Sequence, residues 1–184
     1  MCNFFSGIIT KDNEKCLFSW ESDAHENIKN ENNLKDDKLP PDFVPVELSP
    51  PWGDMSEMDL SKWIFKTDLD VIPEWYDEKE ARELSEKALK EFIDKKFYFK
   101  NPENPIRNER VFLLKNSSAV LRENSSAELR ENSRAMLWGN SSALLWENSS
   151  ADNMEDSSCC RKFEQDKWTI YTPAKTVKAT SCKV

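Results

Sequence analysis

The sequence predicts an α+β N-terminal domain followed by a short β-solenoid, and three observations lead there. From Asn108 onward the chain repeats every eight residues. Within each repeat the positions alternate with strand rather than helix periodicity. Ahead of the repeat, short β-branched and aromatic runs are separated by turn signals and lead to one long amphipathic helix pattern. The expected boundaries are 1–107 for the α+β domain, 108–158 for the octapeptide-repeat solenoid and 159–184 for a C-terminal cap or tail.

In the first region, residues 3–10 and 16–20 flank a polar stretch containing Asp12 and Asn13, which predicts a β-hairpin. Asp23 is placed to N-cap a short helix over 24–29. Residues 30–42 are polar and contain Pro, the composition of a loop. Residues 43–48 alternate as a strand, and Pro45 within it predicts an edge strand or a bulge. A turn-rich connection over 49–58 leads to a strand over 62–67. The strongest helix pattern runs from Asp77 to about Lys95. Asp77 and Glu80 stand at capping-box spacing, and Ala81, Leu84, Ala88, Leu89, Phe92 and Ile93 form one apolar stripe. Residues 97–99 read as a strand and 101–105 as a linker.

In the repeat, position one is Asn at 108, 116, 124, 132, 140 and 148, then Asp156. Position two is Ser from Ser117 to Ser157, position four is small or β-branched, and position six is Leu from Leu113 to Leu145. Ser, Ala and Leu should therefore point inward. Asn at position one suits the corner, because Asn tolerates a left-handed backbone, and stacked Asn side chains can ladder along the axis. Two octads per coil are expected, because small inward residues favour a flat two-sided coil; three per triangular coil is the alternative. The two-sided form groups the units starting at 108, 124, 140 and 156 on one sheet and those at 116, 132 and 148 on the other. It gives about three coils, roughly 15 Å at the usual strand spacing, capped above by the N-terminal domain and below by residues 159–184, where 168–172 read as a final strand.

The net charge of −8 divides as −9 over 1–107, −3 over 108–158 and +4 over 159–184. An acidic body repels phosphates, so direct nucleic-acid binding is not expected. A partner with a basic surface fits better. Five Cys, an odd number without CxxC spacing, and a single His argue against a structural zinc site. No apolar run is long enough to span a membrane and no secretory segment is evident, so the expectation is a cytoplasmic protein with reduced thiols.

Recognition should sit on the outward columns. Position seven reads Leu114, Arg122, Arg130, Trp138, Trp146 and Met154. In a two-sided coil Arg130 adjoins Trp146 on one sheet, while Arg122, Trp138 and Met154 line up on the other. Arg and Trp stack on each other and dominate binding hot spots. The same ladders also shield flat sheet faces. Arg110, Arg134, Trp138 and Trp146 interrupt the flat lattice that an ice-binding solenoid would need. For catalysis the candidates are Cys2, His25 and Asp23. Removal of Met1 would expose Cys2, whose own amine could then act as its base, or Cys2 could pair with His25 oriented by Asp23. No Walker loop, dinucleotide fingerprint or hydrolase elbow is present, so no cofactor is expected.

Met1-Cys2-Asn3-Phe4-Phe5-Ser6, Ala24-His25-Glu26-Asn27-Ile28, Ile72-Pro73-Glu74-Trp75-Tyr76 and the Asn-Ser-Ser-Ala octads together resemble small bacteriophage and prophage proteins loosely described as pentapeptide-repeat-like. The resemblance implies a context in which small acidic proteins bind and block a host complex. The leading expectation is a non-catalytic protein-binding module, an inhibitor of a host protein or nucleoprotein complex of the anti-CRISPR sort, acting in the host cytoplasm. The alternatives are a Cys2-dependent hydrolase or amidotransferase with the solenoid as scaffold, and a structural component that self-assembles through solenoid ends.

Overall fold

The apolar run at the start forms β1 (Phe5–Thr10), and β2 (Cys16–Leu17) pairs antiparallel with it, Ile8 opposite Leu17. Gly7 permits this pairing: a Cβ there would lie 2.3 Å from Cys16 Sγ. The computed structural model describes residues 4–11, 15–35, 41–153, 157–164, 167–172 and 175–178. Two compact units divide the chain, Met1–Lys95 and Lys96–Val184. The first contains a small sheet and two α-helices; the second contains a β-solenoid of about four turns.

In the first unit α1 (His25–Glu31) follows the hairpin, and β3 (Phe43–Ser49) and β4 (Ile64–Thr67) complete an antiparallel sheet ordered β2-β1-β3-β4. The helix start differs from the expectation. Ala24, not Asp23, occupies the N-cap and makes no side-chain cap bond. Ser22 Oγ shapes the entry instead, accepting from Ala24 N at 3.2 Å and from Asn27 Nδ2 at 2.7 Å. The strand containing Pro45 is also not an edge, since β3 lies between β1 and β4. Pro45 is tolerated because β4 ends beside it. Its carbonyl accepts from Asp68 N at 2.9 Å, so the side that lacks an N–H faces the last rung of that ladder. The strand expected from residue 62 begins at Ile64, because Leu60–Lys62 forms a 3-10 turn capped by Asp59 Oδ1.

Helix α2 (Glu78–Lys96) starts where Asp77 Oδ1 accepts from Glu80 N at 2.8 Å. Ala81, Ala88, Leu89, Phe92 and Ile93 of its apolar stripe are buried. Phe92 stacks on Trp20 at 6.1 Å and meets Phe5 and Phe18 edge-on. On the opposite sheet face Ile28 of α1 packs with Ile8 and Phe43.

The second unit opens with β5 (Phe97–Tyr98) and β6 (Ile106–Arg107), which join the solenoid sheets, so the first coil begins ahead of the octads. This extra coil takes the stack from the expected three to about four. Six strands follow: β7 (Arg110–Leu113), β8 (Ser118–Arg122), β9 (Ser126–Leu129), β10 (Arg134–Leu137), β11 (Ser142–Leu145) and β12 (Ser150–Asn153). Even-numbered strands form one parallel sheet, β12-β10-β8-β6. Odd-numbered strands run from β5 through β11 in the other. From β7 to β12 each partner lies sixteen residues along, as Ala119 pairs with Ala135 and Ala135 with Ala151, whereas β5 and β6 meet their partners fifteen along, Ile106 opposite Leu121. Between the sheets, the inward Ala and Leu columns form one core with Val111 and Ile106.

The corners differ from the expected Asn conformation. Positive φ falls on the residue before each Asn: Lys115, Glu123, Glu131, Gly139 and Glu147, with φ between 56° and 65°. Asn108 alone of the Asn column shares it. The next inward Ser closes the corner, as Ser133 N donates to Arg130 O at 3.2 Å. Positive φ at the first central residue of these corners is a conformation that favours Gly. The Asn that follows supplies the expected ladder, Asn124 Nδ2 to Asn108 Oδ1 at 3.1 Å and Asn140 Nδ2 to Asn124 Oδ1 at 3.3 Å. At Ser125, Ser133 and Ser149 the buried hydroxyl completes the corner by donating to a carbonyl, as Ser133 Oγ does to Arg130 O at 2.7 Å, whereas the Ser117 and Ser141 hydroxyls are buried without a partner among the described residues.

At the far end β13 (Cys159–Glu164) continues the odd-numbered sheet, and β14 (Lys167–Thr172) and β15 (Lys175–Lys178) fold back antiparallel. Here the register slips. Ser142 pairs with Cys159, seventeen residues on rather than sixteen. Ser158 and Cys160 are therefore buried, and Ser157, expected inside, is exposed with its hydroxyl on Gly139 O at 2.7 Å.

Candidate functional site

The even-numbered sheet sends Ser118, Val120 and Arg122 outward from β8 and its flank, and Arg134, Met136 and Trp138 outward from the next rung. Arg134 is exposed, and Met136 and Trp138 keep 43% and 37% of their surface. The Arg122 guanidinium lies 5.7 Å from the Trp138 ring centroid, within cation–π range. Beside this row the turn after β5 borders a groove of about 570 Å³, floored by Ser118, Val120, Met136 and Asp152. Asn101 Oδ1 anchors that turn by accepting from Ser118 N at 2.7 Å.

The odd-numbered sheet uses the same residue types differently. Arg130 lies 5.1 Å from the Trp146 ring, and Phe163 covers the ring from the following strand at 5.3 Å. Arg130 is also clamped by Glu128 Oε1, at 2.9 Å from Nε and 2.8 Å from Nη2, with both side chains largely buried. Trp146 is thus sandwiched within the fold, whereas Trp138 faces solvent. Met154, the last residue of the expected column, lies outside the described residues.

Of the three catalytic candidates only His25 and Asp23 lie among the described residues. Cys2 lies outside the described residues. His25 Nε2 is 3.1 Å from Val46 O, and His25 Nδ1 is 3.6 Å from Asp68 Oδ2. The carboxylate beside the ring is therefore Asp68 rather than Asp23, and the Val46 carbonyl is what fixes the ring. A second thiol, Cys16, is buried beneath Ser85, and burial pushes it up to about 11, which removes it as a nucleophile at neutral pH.

Two features had no sequence signal. Trp52 is fully exposed on a turn at φ 55°. Glu47 and Asp68 converge with His25, their ligand atoms all within 4.8 Å of one another. The three residues are far apart in the chain and meet only through sheet register. Among the described residues no helix is long and apolar enough to cross a membrane. The chain matches no protein-family model, no curated protein and no solved structure.

Proposed function

We propose that the protein is a non-catalytic binding module that presents the outer face of the even-numbered solenoid sheet to a protein partner. The observation that carries this reading is the exposed row Arg134, Met136 and Trp138, with Arg122 stacked beneath the indole. Arg, Met and Trp are the side chains enriched at interface centres, and a preformed sheet presents them with little ordering entropy to lose. The flanking guanidiniums favour a partner whose apolar patch carries an acidic rim. We read the octad as the repeating unit and two octads as one turn, which the sixteen-residue offset between paired strands supports. The resemblance to phage proteins supports a host macromolecular complex as the partner, blocked by occupation of its surface.

Affinity capture from nuclease-treated host lysate tests the reading, with intact protein beside Met136→Ala/Trp138→Ala and Trp146→Ala. The double variant should lose a specific host protein while keeping its strand signal by circular dichroism. The same protein captured equally by intact chain and double variant refutes this face as the site. Failure of the intact chain to retain any host protein refutes the binding-module reading.

A further inference from the structure

We infer that His25, Glu47 and Asp68 form a binding site for a divalent transition-metal ion. The ligands come from three places: the first residue of α1, the middle of β3 and the residue that follows β4. One ligand atom from each lies within 4.8 Å of the others. His25 Nε2, by donating to Val46 O at 3.1 Å, leaves Nδ1 as the nitrogen with a free lone pair in the neutral ring. A backbone carbonyl fixing the ligating tautomer is the usual support for metal-bound histidine. Nδ1 already stands 3.6 Å from Asp68 Oδ2, close to the roughly 3.4 Å that separates ligand atoms around an ion with bonds near 2.1 Å.

Glu47 supplies the independent observation. It is only 6% exposed, and among the described residues its carboxylate makes no hydrogen bond and no ion pair. Its neighbours in register are Ser6 and Lys66. The Ser6 hydroxyl is buried without a partner, and Lys66 turns its ammonium to Asp68 Oδ1 at 3.5 Å instead of to Glu47. A side chain this deeply set whose carboxylate lacks any protein donor among the described residues favours a cation, and one held against His25 Nδ1 answers it directly. Lys66 is 62% exposed and can swing away from Asp68. Imidazole with two carboxylates suits zinc or manganese; calcium and magnesium prefer oxygen alone. Asp68 is half-exposed, so the ion would reach solvent on that side and keep a position for water.

Equilibrium dialysis of the metal-free full-length protein against micromolar zinc or manganese, with bound metal counted by mass spectrometry, tests the assignment. Zinc or manganese should bind at one ion per chain and raise the thermal midpoint. Glu47→Gln and Asp68→Asn should each weaken binding by at least about 10-fold, while Cys159→Ser/Cys160→Ser should leave it intact. Asp68, being half-exposed, can be changed without disturbing the core if Glu47→Gln proves unstable. Absence of binding by the intact protein overturns the site. So does binding that persists in Asp68→Asn and disappears in the cysteine variant.

Discussion

Glu131 and Asn132 stand side by side at one corner of the solenoid, and they should respond to glycine in opposite directions. Glu131 holds φ 57°, a conformation that burdens an L-residue by about 1–2 kcal/mol. Its side chain makes no hydrogen bond among the described residues, so nothing offsets that strain. Glycine removes the strain but loses about 0.5–1 kcal/mol through the freedom of its unfolded chain. Glu131→Gly should therefore stabilise by roughly 0.5–1 kcal/mol. Asn132 has negative φ and donates through Nδ2 to Asn116 Oδ1 at 3.4 Å. Asn132→Gly gains nothing from the backbone, loses the lower half of a hydrogen bond's worth and adds the same unfolded-state freedom. A loss of about 1–2 kcal/mol follows. Urea unfolding followed by circular dichroism at constant m-value reads both changes as midpoint shifts of opposite sign. Destabilisation by Glu131→Gly, or stabilisation by Asn132→Gly, would refute the corner assignment and restore Asn as the left-handed residue.

Three further outcomes follow from the packing. Trp146→Ala, which empties the sandwich between Arg130 and Phe163, should destabilise by about 2–3 kcal/mol, while Trp138→Ala on the open face should stay within about 1 kcal/mol; thermal unfolding compares them, and equal losses would contradict the difference in exposure. Gly7→Ala should destabilise by about 1–3 kcal/mol through its contact with Cys16 Sγ, and adding Cys16→Ala should recover part of that loss in a double-mutant cycle. Strict additivity would mean that the sulfur is not the obstacle. The Cys16 thiol is raised from 9.0 to about 11, chiefly by burial, so the folded state holds its proton after the unfolded chain has released it. Its contribution is full below about pH 9 and lost as pH rises toward about 11; a Cys16→Ala variant should lack that part of the decline, and parallel pH profiles would count against it.

The solenoid was legible because its alternation is redundant. Ser, Ala and Leu recur at inward positions of successive units, so the face of any one strand is fixed by the others, and the Arg/Trp columns follow from the same parity. The corner was misread because the residue there is Lys, Glu or Gly, and only Gly139 carries a turn signal; Asn next to it drew the assignment through its general tolerance of left-handed geometry. Pro45 misled in the same way, since its effect depends on where β4 stops, which lies in a strand some twenty residues distant. Ser22 took over the start of α1 because its hydroxyl reaches both Ala24 N and Asn27. The convergence of His25, Glu47 and Asp68 had no local spacing to reveal it, because antiparallel pairing alone brings Glu47 and Asp68 to the helix start.

The single extra residue between Asn153 and Cys159 gives the solenoid a direction of growth and an end. Blocks of sixteen residues could be gained or lost upstream without moving any side chain from inside to outside. Removal of eight would keep inside and outside but transfer every later strand to the opposite sheet, parting Trp138 from Arg122. Beyond the slip the inward face is kept by Ser158 and Cys160, but the sixteen-residue count no longer relates one strand to the next. The slip therefore marks where the parallel stack hands over to the antiparallel strands β14 and β15.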